Sequence, residues 1–146
     1  MPSRVDLTVK HIVDHHHAYE RRALPYIVSL LAKVAGRHRK RNGQLDVLCD
    51  VGQDIAETLE TYMEEEERKL LPALAAGGCD VVREEMNRHN RELGLLLAKI
   101  RSLADGYVAP DWGDRSYQAL MEELEALEDD LTERMHVENL VLIRPA

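Results

Sequence analysis

The chain has 146 residues, 45% of them hydrophobic and 32% charged, which is enough apolar content for one compact domain around a single core. Its net charge of -8 speaks against a nucleic-acid partner, because phosphate binding rests on clustered Lys and Arg and the only such cluster is the short stretch from Arg37 to Arg41. No apolar run is long enough to span a bilayer and no charged-then-apolar leader opens the chain, so a cytoplasmic protein is expected.

Four helices with three breaks are predicted. The first runs from Leu7 to Ala35 and stops at Gly36, with Val13, His17, Leu24, Val28, Leu31 and Ala35 on its inner stripe. Pro25 predicts a kink, since proline cannot donate to the preceding turn. The second helix runs from Leu45 to Leu74, stops at Gly77 and Gly78, and aligns Val51, Ile55, Leu59, Tyr62, Glu66 and Leu70. The third starts behind Asp80 as its N-cap and carries Val82, Met86, His89, Leu93, Leu96, Ile100 and Leu103 as far as Asp105 and Gly106. After the loop ADGYVAPDWGDRS, the fourth helix runs from Ser116 to Ile143, ahead of Pro145, with Leu120, Leu124, Leu127, Leu131, Arg134, Glu138 and Val141 on one side. Each stripe has the helical period, and the short connections imply an all-α, up-down-up-down four-helix bundle over residues 1–146 as one domain.

Six residues interrupt these stripes: His17, Tyr62, Glu66, His89, Arg134 and Glu138. At about 1.5 Å per residue, His17 lies about 28 Å before the end of the first helix and Glu66 about 30 Å beyond the start of the second, so the two meet at one level. The same count brings His89, Arg134 and Glu138 to that end of the bundle. A lone histidine on an apolar stripe is ordinarily a satisfied core residue. Two carboxylates in the same core layer, however, need a cation, because an unpaired buried charge costs several kcal/mol. Imidazoles and carboxylates on four helices are the ligand chemistry of bundle-core iron or manganese sites.

The segments DLTVKHIVDHHHAYERRALPYI, KVAGRH, MEEEERKLLPAL, EEMNRHNRELGLLL and HVENLVLIRP resemble, in order and spacing, the hemerythrin-like (HHE cation-binding) domain. Within that class they are most similar to the C-terminal domain of the repair-of-iron-centres di-iron proteins. The resemblance covers nearly the whole chain. It implies non-haem iron, with His17 and His89 as the single histidines of the first and third helices and Glu66 and Glu138 as the bridging glutamates. Where the family has the histidines of its two His-x-x-x-Glu pairs, this chain has Tyr62 and Arg134. Both departures fall one helical turn from the glutamates. They imply one metal position kept by His17, Glu66, His89 and Glu138 and a second stripped of its nitrogen donors, so a mononuclear centre is favoured over a dinuclear one. Manganese and zinc are the alternatives to iron. Arg134 stays protonated and cannot coordinate, but it is placed to fill the vacant position and donate to Glu66 and Glu138. Tyr62 is either a phenolate ligand to ferric iron or a hydrogen-bond donor beside the site. The family's N-terminal partner domain is expected to be missing, because the chain begins almost at the first ligand helix.

The remaining candidates carry less. His38 matches a family histidine but lies about 30 Å along the helix from His17. His136 falls on the face opposite Glu138. His11 and His15 form an HxxxH pair on the outer face of the first helix with Asp14 beside them, a polar face that also suits zinc or nickel. Glu64, Glu65 and Glu67 are expected to face water or the mouth of the site. Cys49 and Cys79 lack CxxC spacing and are read as buried or incidental thiols. Two function classes follow: a metal-binding protein that meets dioxygen, nitric oxide or peroxide or handles iron under stress, and a metal-free bundle that uses an outer face as a protein-interaction module. No nucleophile with an adjacent base, phosphate loop or dinucleotide fingerprint supports a hydrolase, kinase or dehydrogenase.

Overall fold

Ser3 starts the first helix. Its hydroxyl accepts from the Asp6 N–H at 3.0 Å while the Asp6 carboxylate accepts from the Ser3 N–H at 3.2 Å, a reciprocal capping box. In this computed structural model, which describes residues 1–143, α1 then occupies residues 4–38 as α-helical Arg4–His11, π-helical Ile12–His17 and α-helical Ala18–His38. It begins before Leu7 and stays helical through Pro25.

The second helix, α2, occupies residues 44–75 as Gln44–Glu65, a π-helical Glu66–Leu70 and Leu71–Ala75. It ends where Gly77 and Gly78 take φ of 115° and 68° and the Gly78 N–H returns to the Ala73 carbonyl at 2.8 Å, a left-handed closure that glycine adopts at little cost. The third, α3, is Asp80–Leu103. Here the expected cap is corrected. Cys79 holds the extended N-cap conformation, while Asp80 is already helical and faces Arg83 at 3.2 Å. The fourth, α4, occupies residues 115–143 as Arg115–Glu138 followed by a π-helical Asn139–Ile143, and Asp114 caps it by accepting from the Tyr117 N–H at 3.0 Å. Pro145, expected to follow this helix, lies outside the described residues.

The four helices pack as the predicted all-helical bundle, α1 lying against both α2 and α4 and α2 against α3. Gly52 lets α1 and α2 come close, since a Cβ there would collide with Leu31. The buried apolar residues form two clusters. The larger runs from Ala23 and Leu24 through Leu59, Met63, Leu93 and Leu131; the smaller holds Ile12, Leu70, Leu71, Leu74, Met86, Val141, Leu142 and Ile143. On every helix buried polar residues fall between the two, His16, His17, Glu20, Glu66, His89, Arg134 and Glu138, so a polar layer crosses the bundle near one end; Glu128, paired with Arg101 and Tyr107, stands apart within the larger cluster. No helix among the described residues is long and apolar enough to cross a membrane.

Candidate metal centre

The three π-helical stretches among the described residues all adjoin this polar layer. Ile12–His17 ends on His17, Glu66–Leu70 begins at Glu66, and Asn139–Ile143 follows Glu138 directly. A π turn takes in an extra residue and shifts the face presented inward, which is why such turns gather at functional sites. Here the first one buries His16 and His17 together.

Glu66 is the hub. Its Oε1 lies 3.3 Å from His17 Nε2 and its Oε2 2.7 Å from His89 Nδ1. The other nitrogen of His17, Nδ1, lies 2.7 Å from Glu67 Oε2, which also accepts from Arg21 Nη1 at 2.7 Å. His89 Nε2 is buried without a hydrogen-bond partner and faces Glu65 at 3.4 Å and Glu85 at 3.7 Å. Tyr62 stacks flat on His89, ring centres 3.7 Å apart and planes within 3°. Arg134 donates from Nη1 to Glu138 at 3.0 Å but stays 3.7 Å from Glu66, at ion-pair rather than hydrogen-bond distance. Its Nε and Nη2 go instead to Glu20 at 3.1 and 3.3 Å. Asn90 Nδ2 donates to the other oxygen of Glu138 at 3.0 Å.

Glu20 is the residue that sequence reading passed over. It is fully buried, yet it stands three residues after His17 and four before Leu24, so helical spacing contained the signal. With it the layer holds three buried carboxylates, Glu20, Glu66 and Glu138, against one guanidinium.

Burial works to raise the Glu66 carboxyl, but hydrogen bonds from His17 and His89 and the charge of Arg134 outweigh it and hold the group at about 2. Burial pushes Glu20 up to about 7 against the pull of Arg134 and His17. Glu138 is also raised, by burial against Arg134 and with Glu66 adding repulsion. Arg134 is raised despite its own burial, because Glu138, Glu20 and Glu66 all favour its charge. Three carboxylates thus share one fixed cation, two of them pushed towards the protonated form that an added cation would relieve, and an orphaned imidazole nitrogen of His89 faces the mouth. Both fit a bound cation, and imidazole with carboxylate suits iron, manganese or zinc.

Residues 8–145 match the Hemerythrin HHE cation binding domain. The chain belongs to the hemerythrin family. Among its relatives are the iron-sulfur cluster repair protein YtfE of Edwardsiella ictaluri, 30% identical over 134 residues, and its namesake in Dickeya chrysanthemi, 30% identical over 137 residues. Each match takes in 90% of this chain and 61% of the relative, so the chain spans about three fifths of the length of these two proteins. The iron-sulfur cluster repair protein DnrN of Neisseria gonorrhoeae is 28% identical over 142 residues, covering 92% of this chain and 87% of DnrN.

Within this hemerythrin-like bundle, two groups of three residues bring donor atoms within 4.8 Å of one another among the described residues: Glu65, Glu85 and His89, and His15, His16 and Asp130. Glu65 and Glu85 stand at the half-buried mouth beside His89, and Glu67 reaches in to His17. His38 lies at the other end, beside Trp112 and Tyr117 with ring centres 5.5 and 5.7 Å away. His136 and Cys79 are exposed and Cys49 is half-buried.

Proposed function

We propose that this hemerythrin-like chain binds a single non-haem iron through His17, Glu66, His89 and Glu138, with Arg134 in place of a second ion. The observation that carries the reading is the composition of the polar layer, three buried carboxyl groups and two buried imidazoles around one guanidinium. When bound, the ion would supply redox-active chemistry towards dioxygen, nitric oxide or peroxide. The chain's own residues do the rest. Glu67 fixes the ring of His17 through Nδ1, Tyr62 holds the plane of His89, Asn90 orients Glu138, and the apolar clusters on either side keep bulk water out. The relatives' names make iron handling in the repair of iron-sulfur clusters the cellular setting we assign to it.

Elemental analysis of untagged protein purified without oxygen tests this, beside a Glu66→Ala, Glu138→Ala double variant. One iron per chain, lost in the variant, is the expected result; two per chain would mean that Arg134 does not fill the second position. The bonds from Arg134 to Glu138 and Glu20 favour one other reading, a metal-free bundle serving as a protein-interaction module. Absence of metal with unchanged or improved stability in the variant would overturn the iron reading and leave that one.

A further inference from the structure

A second cluster of titratable groups joins α1 to α4. His11 and His15 stack at 4.8 Å with planes 16° apart, and both meet His16 edge-on, at 5.1 and 4.9 Å. His16 is fully buried because the π turn carries it inward beside His17, and its Nδ1 lies 2.9 Å from Asp130 Oδ1. One nitrogen each from His15 and His16 and one Asp130 oxygen fall within 4.8 Å of one another. His16 Nε2 and Asp130 Oδ2 are both buried and have no hydrogen-bond partner. Native proteins rarely leave two such atoms unsatisfied in one place. His11 and His15 are exposed, so solvent reaches the group.

We propose that His15, His16 and Asp130 form a second, separate site for a divalent transition ion of the zinc type, with the His11 ring stacked on His15 beside it. Neutral imidazole with one carboxylate suits zinc, and three protein ligands with a solvent molecule in the fourth position complete its tetrahedral preference. Lys10 holds Asp14 at 2.5 Å and keeps that carboxylate out of the set. An ion here ties α1 to α4 across the π turn that orients His17. The site shares no residue with His17, Glu66, His89 and Glu138, although Asp130 borders Glu20 of the polar layer, so variants on each side separate it from the iron reading.

The test is a calorimetric titration of untagged protein, as isolated, with zinc(II), repeated with cobalt(II) as an optical probe of coordination number. One zinc per chain is expected, with a rise in melting temperature as the ion favours the folded state. The His15→Ala and Asp130→Asn variants should each bind it about tenfold or more weakly, whereas a Glu66→Gln, Glu138→Gln variant should bind it as before. Should Asp130→Asn fail to fold, His15→Ala decides alone, since that side chain is exposed and its loss leaves the helix intact. Unchanged zinc affinity in His15→Ala, or loss of zinc only in the Glu66 and Glu138 variant, overturns the proposal.

Discussion

Arg134 on α4 forks onto Glu20 on α1, Nε to Oε2 at 3.1 Å and Nη2 to Oε1 at 3.3 Å, while its remaining nitrogen reaches Glu138 on its own helix. A permanently charged side chain therefore stands among the three buried carboxyl groups of the layer. Unlike a metal ion it cannot dissociate, and unlike histidine it cannot lose its proton. The layer has become asymmetric: Glu138 and Glu20 share the guanidinium, and Glu66 is left mainly to the two histidines.

Removing this cation should be costly. Arg134→Leu leaves buried carboxylates unpaired, and loss of one partner of a buried ion pair destabilises by about 3–5 kcal/mol. Combining it with Glu20→Leu removes both ends of the α1–α4 pair and should recover much of that loss. Urea denaturation of the single and double variants measures both. A single variant as stable as the parent would show that the carboxylates simply take up protons and that Arg134 contributes no net stability.

On the proposed single-iron reading, histidines at positions 62 and 134 should create a second metal place. The Tyr62→His, Arg134→His variant is then expected to hold two irons per chain against one in the parent, read by elemental analysis. Tyr62 stacks on His89 and Arg134 faces Glu138, so both positions already border the glutamates. Iron content that does not rise would sink the idea that these two substitutions emptied a second position.

Hydrophobic spacing made the bundle legible, because each helix repeats its apolar residues every three to four positions; the breaks fall near glycines or turn-forming stretches, although the first helix passes the expected stop at Gly36 and ends at His38. The level at which His17, Glu66, His89, Arg134 and Glu138 meet could be counted from helix lengths alone. The π turns could not. An inserted residue leaves no mark in composition, and it alone explains why His16 is buried next to His17 and why the inner stripe of α1 reads His17, Glu20, Leu24, Ile27 and Leu31 rather than continuing from Val13. Glu20 was missed although its spacing from His17 and Leu24 is helical, because a lone glutamate near a helix start is normally a solvated one. The partnership of Asp130 with His16 joins residues 114 apart, a contact that only tertiary structure reveals.

Glu67 offers a test of how His17 is held. Its carboxylate accepts from Arg21 and orients His17 through Nδ1, leaving Nε2 toward Glu66. Loss of a carboxylate that orients a metal-binding histidine typically weakens metal affinity by about 10- to 100-fold. Glu67→Ala should do so with little change in the melting temperature of the metal-free protein, because Glu67 is only half-buried. Competition with a chelator measures the affinity; an unchanged value would show that His17 is fixed by packing alone.

The far end of the bundle carries a pH dependence of its own. Asp114 caps α4 and lies 3.2 Å from His38 and 3.1 Å from Arg37, both on α1. The Tyr117 N–H above all, with His38 and Arg37 adding to it, holds the Asp114 carboxyl at about 2, below its ordinary 3.8. A value lowered by folding means that the ionised form is the one the fold favours. Its contribution is therefore complete above the unfolded value and fades as pH falls through the folded one. Asp114→Ala should cost about 1 kcal/mol at neutral pH, as loss of an N-cap does. The gap in melting temperature between the parent and this variant should narrow steadily as the pH is taken from about 5 towards about 2. Thermal melts followed by circular dichroism across that range decide it. A gap that stays constant would assign the effect to cap geometry and not to the charge on Asp114.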